Sequence, residues 1–331
     1  MRRSSIFFGG MILVLIVLFL ALAVAVMQGP ASRDHGLQYS GSQDSELPGA
    51  DLIGGALSGD QYYYWGDTWG GEGYAVGQFR TPTGIVAGPD NSIYVADTLN
   101  NRVQKLGTDG KWVEFTQSFM PEAMAIAGDG TFYIYRYAAG IDVYDRDGQY
   151  VKTWKNDSGV INALGMAVNG ANSLFVTDYS GLWFFWVQDN AGHWGMHNFG
   201  EGDPRQLSWP RGVAVSTDGN YYVADTNNNR IEHFTEHGDV DVWGGPGSGP
   251  KQFDQPSGIA VDLDGYVYVA DTGNNRIQVF DPDGVYKGSM GNSRTLKNPE
   301  GVAVDTHYNV YVTDTGNNRV RKLVPGQPRP A

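Results

Sequence analysis

Apolar positions along the chain fall into two regimes. Ile6 to Met27 is an uninterrupted apolar run of 22 residues. From Gln61 onward the apolar runs shorten to about four to six residues, a usual strand length. They are rich in Val, Ile, Tyr and Phe and are punctuated by Gly, Asp, Asn and Pro. This pattern predicts β-strands joined by tight turns. Between the regimes, Gly29 to Asp60 is rich in Gly, Ser, Asp and Gln and has no sustained apolar period. It predicts a flexible linker over residues 29–60. A Pro-rich tail occupies residues 325–331.

The strand-rich region repeats. One unit reads Gln252-Phe253, Pro256-Ser257-Gly258-Ile259-Ala260-Val261-Asp262, then Tyr268-Val269-Ala270-Asp271-Thr272, then Asn274-Asn275-Arg276-Ile277-Gln278-Val279-Phe280. The Pro-x-Gly position recurs at Gly84, Ala123, Gly165, Gly212, Gly258 and Gly301, which makes six units. Each unit carries four strand-forming runs. In the fifth unit they are Gly258–Val261, Tyr266–Ala270, Arg276–Phe280 and Val285–Met290. Asp-Gly turns such as Asp129-Gly130, Asp264-Gly265 and Asp283-Gly284 separate runs, because these residues tolerate the positive φ of tight hairpins. Four strands at a period of about 40 residues predict an all-β, six-bladed β-propeller over residues 61–324. The last unit lacks its fourth run. Gln61-Tyr62-Tyr63-Tyr64-Trp65-Gly66 supplies one at the front, so residues 61–66 are expected to pair with Arg319–Val324 and close the ring.

The pattern Gly-Ile-Ala-Val-Asp … Tyr-Val-Ala-Asp-Thr-Gly-Asn-Asn-Arg-Ile-Gln-Val-Phe resembles the NHL repeat, over about residues 77–324. Units one, four, five and six follow it closely, as in Asp97-Thr98 with Asn101-Arg102 and Asp314-Thr315 with Asn318-Arg319. Units two and three follow it in outline. The resemblance implies a propeller. Its functional implications are several: interaction modules of ubiquitin ligases, RNA binders, extracytoplasmic sensors of bacterial kinases, and an amidating lyase with zinc held by channel histidines.

Composition narrows these. Lys and Arg number 23 against 36 Asp and Glu, a net charge of −13. An acidic chain lacks the basic footprint that phosphate backbones need, so nucleic acid is not expected as a partner. There is no cysteine, which excludes a RING zinc module, disulfides and thiol catalysis. The apolar run is long enough to cross a hydrocarbon core of ~30 Å as a helix. Residues 1–28 therefore read as a transmembrane anchor, with a cleaved signal sequence as the alternative, cut near Ala21-Leu22-Ala23 or Ala23-Val24-Ala25. Arg2 and Arg3 precede the run and place the N-terminus in the cytoplasm. The propeller is then extracytoplasmic, on a single-pass protein of the cell membrane, or secreted if the segment is cut. A kinase sensor needs a cytoplasmic kinase, and only five residues precede the run. The reading is of a monomeric, tethered propeller that binds a protein, peptide or glycan.

Candidate chemistry gathers on one face. The Pro-x-Gly starts and the Thr-x-Asn-Asn loops lie at one end of the strands, and the Asp-Gly turns at the other. The x residues Thr83, Glu122, Leu164, Arg211, Ser257 and Glu300 are expected to ring the central channel, where charges can orient a ligand or hold a cation. The repeated Asp…Arg pairs (Asp97–Arg102, Asp225–Arg230, Asp271–Arg276, Asp314–Arg319) read as structural. Units two and three depart from the pattern: Arg136 replaces the Asp, Gly140 replaces the Arg, and Asp178 is followed by Tyr179-Ser180-Gly181. Departures from an otherwise consistent pattern mark candidate sites. The expected ligand-binding residues are Glu122, Arg136, Tyr137, Tyr179, Arg211 and Glu300. Simple drift of two repeats, with their aromatics as blade packing, is the competing reading.

No cofactor, metal site or catalytic residue is expected. His193-x-x-x-His197 has a metal-like spacing that suits a helix, not a strand. No histidine occupies a ring position. Asp145-x-Asp147-Gly148, Asp262-x-Asp264-Gly265 and Asp281-x-Asp283-Gly284 resemble the start of a calcium loop but lack its remaining ligands, and read as hairpin turns. The enzymatic alternative is a metal-dependent hydrolase of the lactonase type. It rests on the likeness of Asn298-Pro299-Glu300-Gly301 to the Glu-Gly start that supplies a metal carboxylate in such propellers.

Overall fold

A computed structural model of the protein describes residues 52–57, 61–137, 139–155, 162–186, 194–197, 206–235 and 237–326. Their strands form six antiparallel sheets, five of four strands and one of five. Blade one comprises Pro82–Ala87, Ile93–Asp97, Arg102–Leu106 and Trp112–Gln117. Blade two comprises Met124–Ile126, Phe132–Arg136, Gly140–Tyr144 and Tyr150–Lys155. Blade three comprises Gly165–Val168, Ser173–Asp178, Gly181–Trp186 and Trp194–His197. Blade four comprises Val213–Val215, Tyr221–Asp225, Arg230–Phe234 and Val240–Trp243. Blade five comprises Pro256–Val261, Val267–Asp271, Arg276–Phe280 and Tyr286–Met290. The strands of blade five match the runs expected there to within two residues.

Blade six draws on both ends of the propeller. Pro299–Val304, Val310–Asp314 and Arg319–Pro325 come from its C-terminal part, and Gln61–Gly70 from its N-terminal part. Tyr64 pairs with Val324 and Trp65 with Leu323, as the closing strand requires. The strand runs further than residues 61–66. After a bulge between Trp65 and Thr68 it continues through Thr68↔Arg321 to Gly70↔Arg319. Leu52–Leu57 then adds a fifth strand outside it, with Leu52 opposite Tyr64 and Leu57 opposite Gln61. The sequence places residues 52–57 in the linker. They become a strand because Gln61–Gly70 offers an open edge, whose unpaired backbone groups invite another strand.

Each second strand in blades one, four, five and six is buried at every position. Neighbouring blades cover both faces, so the strand reads as a continuous apolar run instead of an alternating one. The core is accordingly divided into six clusters, each between adjacent blades. The cluster joining Phe79, Ile85 and Val95 of blade one to Ala303, Tyr311 and Val320 of blade six completes the ring.

The expected anchor, the linker up to residue 51 and the tail beyond residue 326 lie outside the described residues. Among the described residues, no helix is long and apolar enough to cross a membrane.

Candidate functional site

The first strand of each blade lines a central cavity of about 440 Å³. All six x residues, Thr83, Glu122, Leu164, Arg211, Ser257 and Glu300, are in its lining. The glycine after each x residue explains the motif. A Cβ on Gly84 would overlap the Glu122 carbonyl oxygen, one on Gly165 that of Arg211, and one on Gly258 that of Glu300. Gly212 and Gly301 stand in the same relation to Ser257 and Thr83. Each glycine thus lets the next blade's x residue approach backbone to backbone. Blade two has Ala123 at this position.

Polar side chains tie neighbouring blades together on the same face. Thr98, Thr226 and Thr272 donate their hydroxyls to the carbonyls of Pro121, Pro256 and Pro299, each at 2.7 Å. Thr315 donates to Pro82 at 2.6 Å and so ties blade six to blade one. The second Asn of each loop makes a parallel bond. Asn101, Asn229, Asn275 and Asn318 accept the backbone N–H of Met120, Gln255, Asn298 and Thr81, at 2.7–2.9 Å. Those acceptor asparagines have φ of 52–57°, and the residues they hold have φ of 43–51°. The loop sequence therefore encodes a bridge to the next blade as well as a turn. These Thr and Asn latches were missed in the sequence. Their recurrence beside the Asp…Arg pairs was the available signal.

The Asp…Arg pairs are structural, as expected. Asp271 is fully buried, accepts the Asp254 N–H at 2.8 Å, and receives Arg276 Nε at 2.7 Å and Gln278 Nε2 at 2.9 Å. Arg276 in turn donates to the carbonyls of Gly249 and Gln252. Asp97, Asp225 and Asp314 repeat the arrangement with Arg102, Arg230 and Arg319.

Three of the six expected binding residues meet at the cavity mouth. Arg211 Nη1 lies 3.3 Å from Glu300 Oε2. Burial holds the Glu300 carboxyl above the usual range, and the Arg211 guanidinium pulls in the opposite direction. Burial also raises Glu122. Arg211 opposes that shift and the Glu300 charge adds to it. The other three residues are outside the cavity lining. Arg136 Nε lies 3.2 Å from Asp142 Oδ2 within blade two. Tyr137 is exposed. Tyr179 packs against Trp209 with ring centroids 4.4 Å apart and receives a hydrogen bond from Asn162 Nδ2 at 2.8 Å. The six expected binding residues are thus divided between the cavity lining and positions outside it. Tyr133 and Tyr135 are buried between blades two and three, with Trp183 partly buried against them.

The metal-like motifs have other roles or fall outside view. Asp262 Oδ1 accepts the N–H groups of Asp264 and Tyr266, and Asp145 and Asp281 cap their turns in the same way. His193 lies outside the described residues, and His197 ends a strand. Among the described residues, no three His, Cys, Asp or Glu side chains converge as a metal site. The donors at the cavity mouth do not fit zinc held by histidines. At the six ring positions they are two carboxylates, two hydroxyls and a guanidinium that already engages one carboxylate.

These features define a closed six-bladed propeller with a charged mouth. Within it, residues 79–106, 207–234, 253–280 and 296–323 match the NHL repeat, in blades one, four, five and six. The protein is an NHL-repeat β-propeller. Similar solved structures include a gluconolactonase from Xanthomonas campestris, at 16% identity and TM-score 0.63, covering 82% of this chain and 92% of that one. A Bacteroides thetaiotaomicron protein of unknown function is 17% identical with TM-score 0.67, covering 85% of this chain and 83% of that one. Virginiamycin B lyase from Staphylococcus aureus is 15% identical with TM-score 0.56, covering 79% and 99%. At these identities the likeness is one of fold. No curated protein matches the sequence.

Proposed function

We propose that the protein is a binding module that engages a protein, peptide or glycan ligand at the mouth of its central cavity, on the Pro-x-Gly face. The observation that carries this reading is the convergence of Glu122, Arg211 and Glu300 from three blades on one cavity. Half-buried charges facing a concavity give orientation and selectivity to whatever enters it. The apolar run Ile6–Met27 supports a tether to the cell membrane with the propeller outside. The test is site-specific photo-crosslinking with the full-length chain in cells. A crosslinker at Thr83 or Ser257 is expected to capture a ligand, and one at Asp147, in an Asp-Gly turn of the other face, is not. Adducts from Asp147 alone, or from none of the three positions, would overturn the proposal.

A second reading, a metal-dependent hydrolase of the lactonase type, is favoured by the gluconolactonase-like fold and by the place of Glu300 in the cavity. The Arg211 contact counts against a cation at that carboxylate. Metal analysis of the purified full-length protein separates the readings. A stoichiometric divalent ion that is lost on Glu300→Gln would establish the second.

A further inference from the structure

The cavity mouth is not uniform around its rim. Leu99, from the loop of blade one, and Met120, which precedes the first strand of blade two, belong to the cavity lining and are 45% and 39% exposed. Exposed apolar side chains at such positions are held open by the latches already described. Asn101 fixes the Met120 backbone, and Thr98 fixes Pro121. Glu122 lies two residues beyond Met120 in the same cavity. At the corresponding positions of blades five and six, Gly273 and Gly316 carry no side chain and Gln255 and Asn298 are polar.

The charges of the mouth are unequally matched. Arg211 is engaged by Glu300 at 3.3 Å. Glu122 makes no ion pair and no side-chain hydrogen bond among the described residues. The mouth thus carries two carboxylates against one guanidinium, and the carboxylate outside that pair belongs to the same cavity lining as Leu99 and Met120. A ligand that complements this surface needs an aliphatic stretch ending in a cation. That is the form of a lysine side chain, whose methylenes cover apolar surface while the ammonium stays polar.

We propose that the mouth receives a lysine side chain of a peptide or protein partner, with its methylenes on Leu99 and Met120 and its ammonium at Glu122. This rests on the reading of the mouth as a binding site and names what that site selects. The ammonium is a compact point charge on a flexible four-carbon stem, which lets its methylenes lie along the lip while its head reaches one carboxylate. Selectivity then comes from charge complementarity, with apolar contact adding to affinity. An acidic or neutral side chain of the same length finds no partner for the Glu122 charge.

The experiment uses the full-length chain in lipid nanodiscs, titrated with capped pentapeptides Gly-Leu-X-Leu-Gly in which X is lysine, norleucine or glutamate. The lysine peptide is expected to bind at least about tenfold tighter than the norleucine peptide, the span of one charge-assisted contact. Glu122→Gln is expected to erase that ratio while leaving the melting temperature near the wild-type value. Leu99→Ser with Met120→Ser is expected to weaken the lysine and norleucine peptides alike and to keep the ratio. Equal binding of lysine and norleucine by the wild type, or a ratio that survives Glu122→Gln, would overturn the inference. If crosslinkers at Thr83 and Ser257 still capture a ligand in cells, only the lysine assignment fails. If they capture none, the mouth as a binding site fails with it.

Discussion

Blades one, four, five and six differ from blades two and three in how they hold the next blade. In the first group, a Thr hydroxyl and an Asn amide reach across every seam. In the second group, the loop is shorter. Asp271 pairs with Arg276, but Arg136 pairs with Gly140 and Asp178 with Gly181. The residues that supply the amide are lost with the shortening, and Tyr137 and Tyr179 stand where the Thr is expected. Asp178 turns inward on its own hairpin, accepting from the Ser180 and Gly181 N–H groups. At the seam between blades two and three, Tyr135 Oη accepts the Asn162 N–H at 3.0 Å in place of an Asn side chain.

The apolar clusters do not change with the loops. Ala123, Tyr135, Val143, Met166 and Val176 are buried in the cluster between blades two and three, as valines and isoleucines are in the others. The polar links form a second layer above this packing. At the divergent seams other residues supply them, Tyr135 Oη between blades two and three and the Thr177 hydroxyl on the Arg211 carbonyl between blades three and four, and the loops present aromatic side chains such as Tyr137. Drift of the repeat is consistent with this. The charges that converge at the mouth belong to ring positions in blades two, four and six, so the mouth does not depend on the divergent loops.

Substitutions at equivalent positions in the two groups sharpen the contrast. The largest effect is expected for Asp271→Ala, which leaves Arg276 and Gln278 buried without their partner. A loss of about 3–5 kcal/mol is expected by denaturant unfolding. Arg136→Ala, at the matching position of blade two, removes a half-exposed cation from the buried Asp142, which keeps its hydrogen bond from the Thr153 hydroxyl, and is expected to cost about 1–2 kcal/mol. Equal losses would show that the two loops bear the same load.

A latch alone should matter less. Thr272→Val keeps shape and removes the hydroxyl bonded to Pro299 and Ser257. It is expected to cost about 1–2 kcal/mol, with hydrogen exchange speeding first at the seam between blades five and six. Uniform acceleration over all seams would show that the latch acts globally.

The smallest difference concerns pH. Asp262, at the base of blade five, has its carboxyl pushed up to about 6 by burial and receives the Tyr268 hydroxyl at 3.0 Å. Blades two and three have the uncharged Ala127 and Asn169 at that position. An unfolded Asp titrates near ~3.9, so the folded protein holds more protons between about pH 4 and 6. This group's contribution is fully present below pH 4 and is lost as pH rises through 6. The melting temperature of the wild type relative to Asp262→Asn is expected to rise as pH falls from 7 to 4. An unchanged difference across that range would remove Asp262 from the pH dependence.

Much of this architecture was legible in the chain. The recurrence from Gly84 to Gly301 set the number of blades, and the missing fourth run after Arg319 pointed to Gln61–Trp65. The Pro-x-Gly spacing placed Glu122, Arg211 and Glu300 in one ring. The latches were less legible because each joins residues of different repeats, such as Asn318 and Thr81. The fifth strand at Leu52–Leu57 carried no signal of its own, since a short apolar run becomes a strand only beside an open edge.

The sequence by itself determined the repeat, the blade count, the ring positions and the residues that hold each loop. These are local or periodic properties, and period is written directly in the order of residues. The tertiary structure alone decided which charges pair, that Arg211 takes Glu300 and leaves Glu122, and that Leu99 and Met120 share the cavity lining with it. Those relations depend on distances across the cavity between blades that are far apart in the chain, and such distances exist only once the ring has closed.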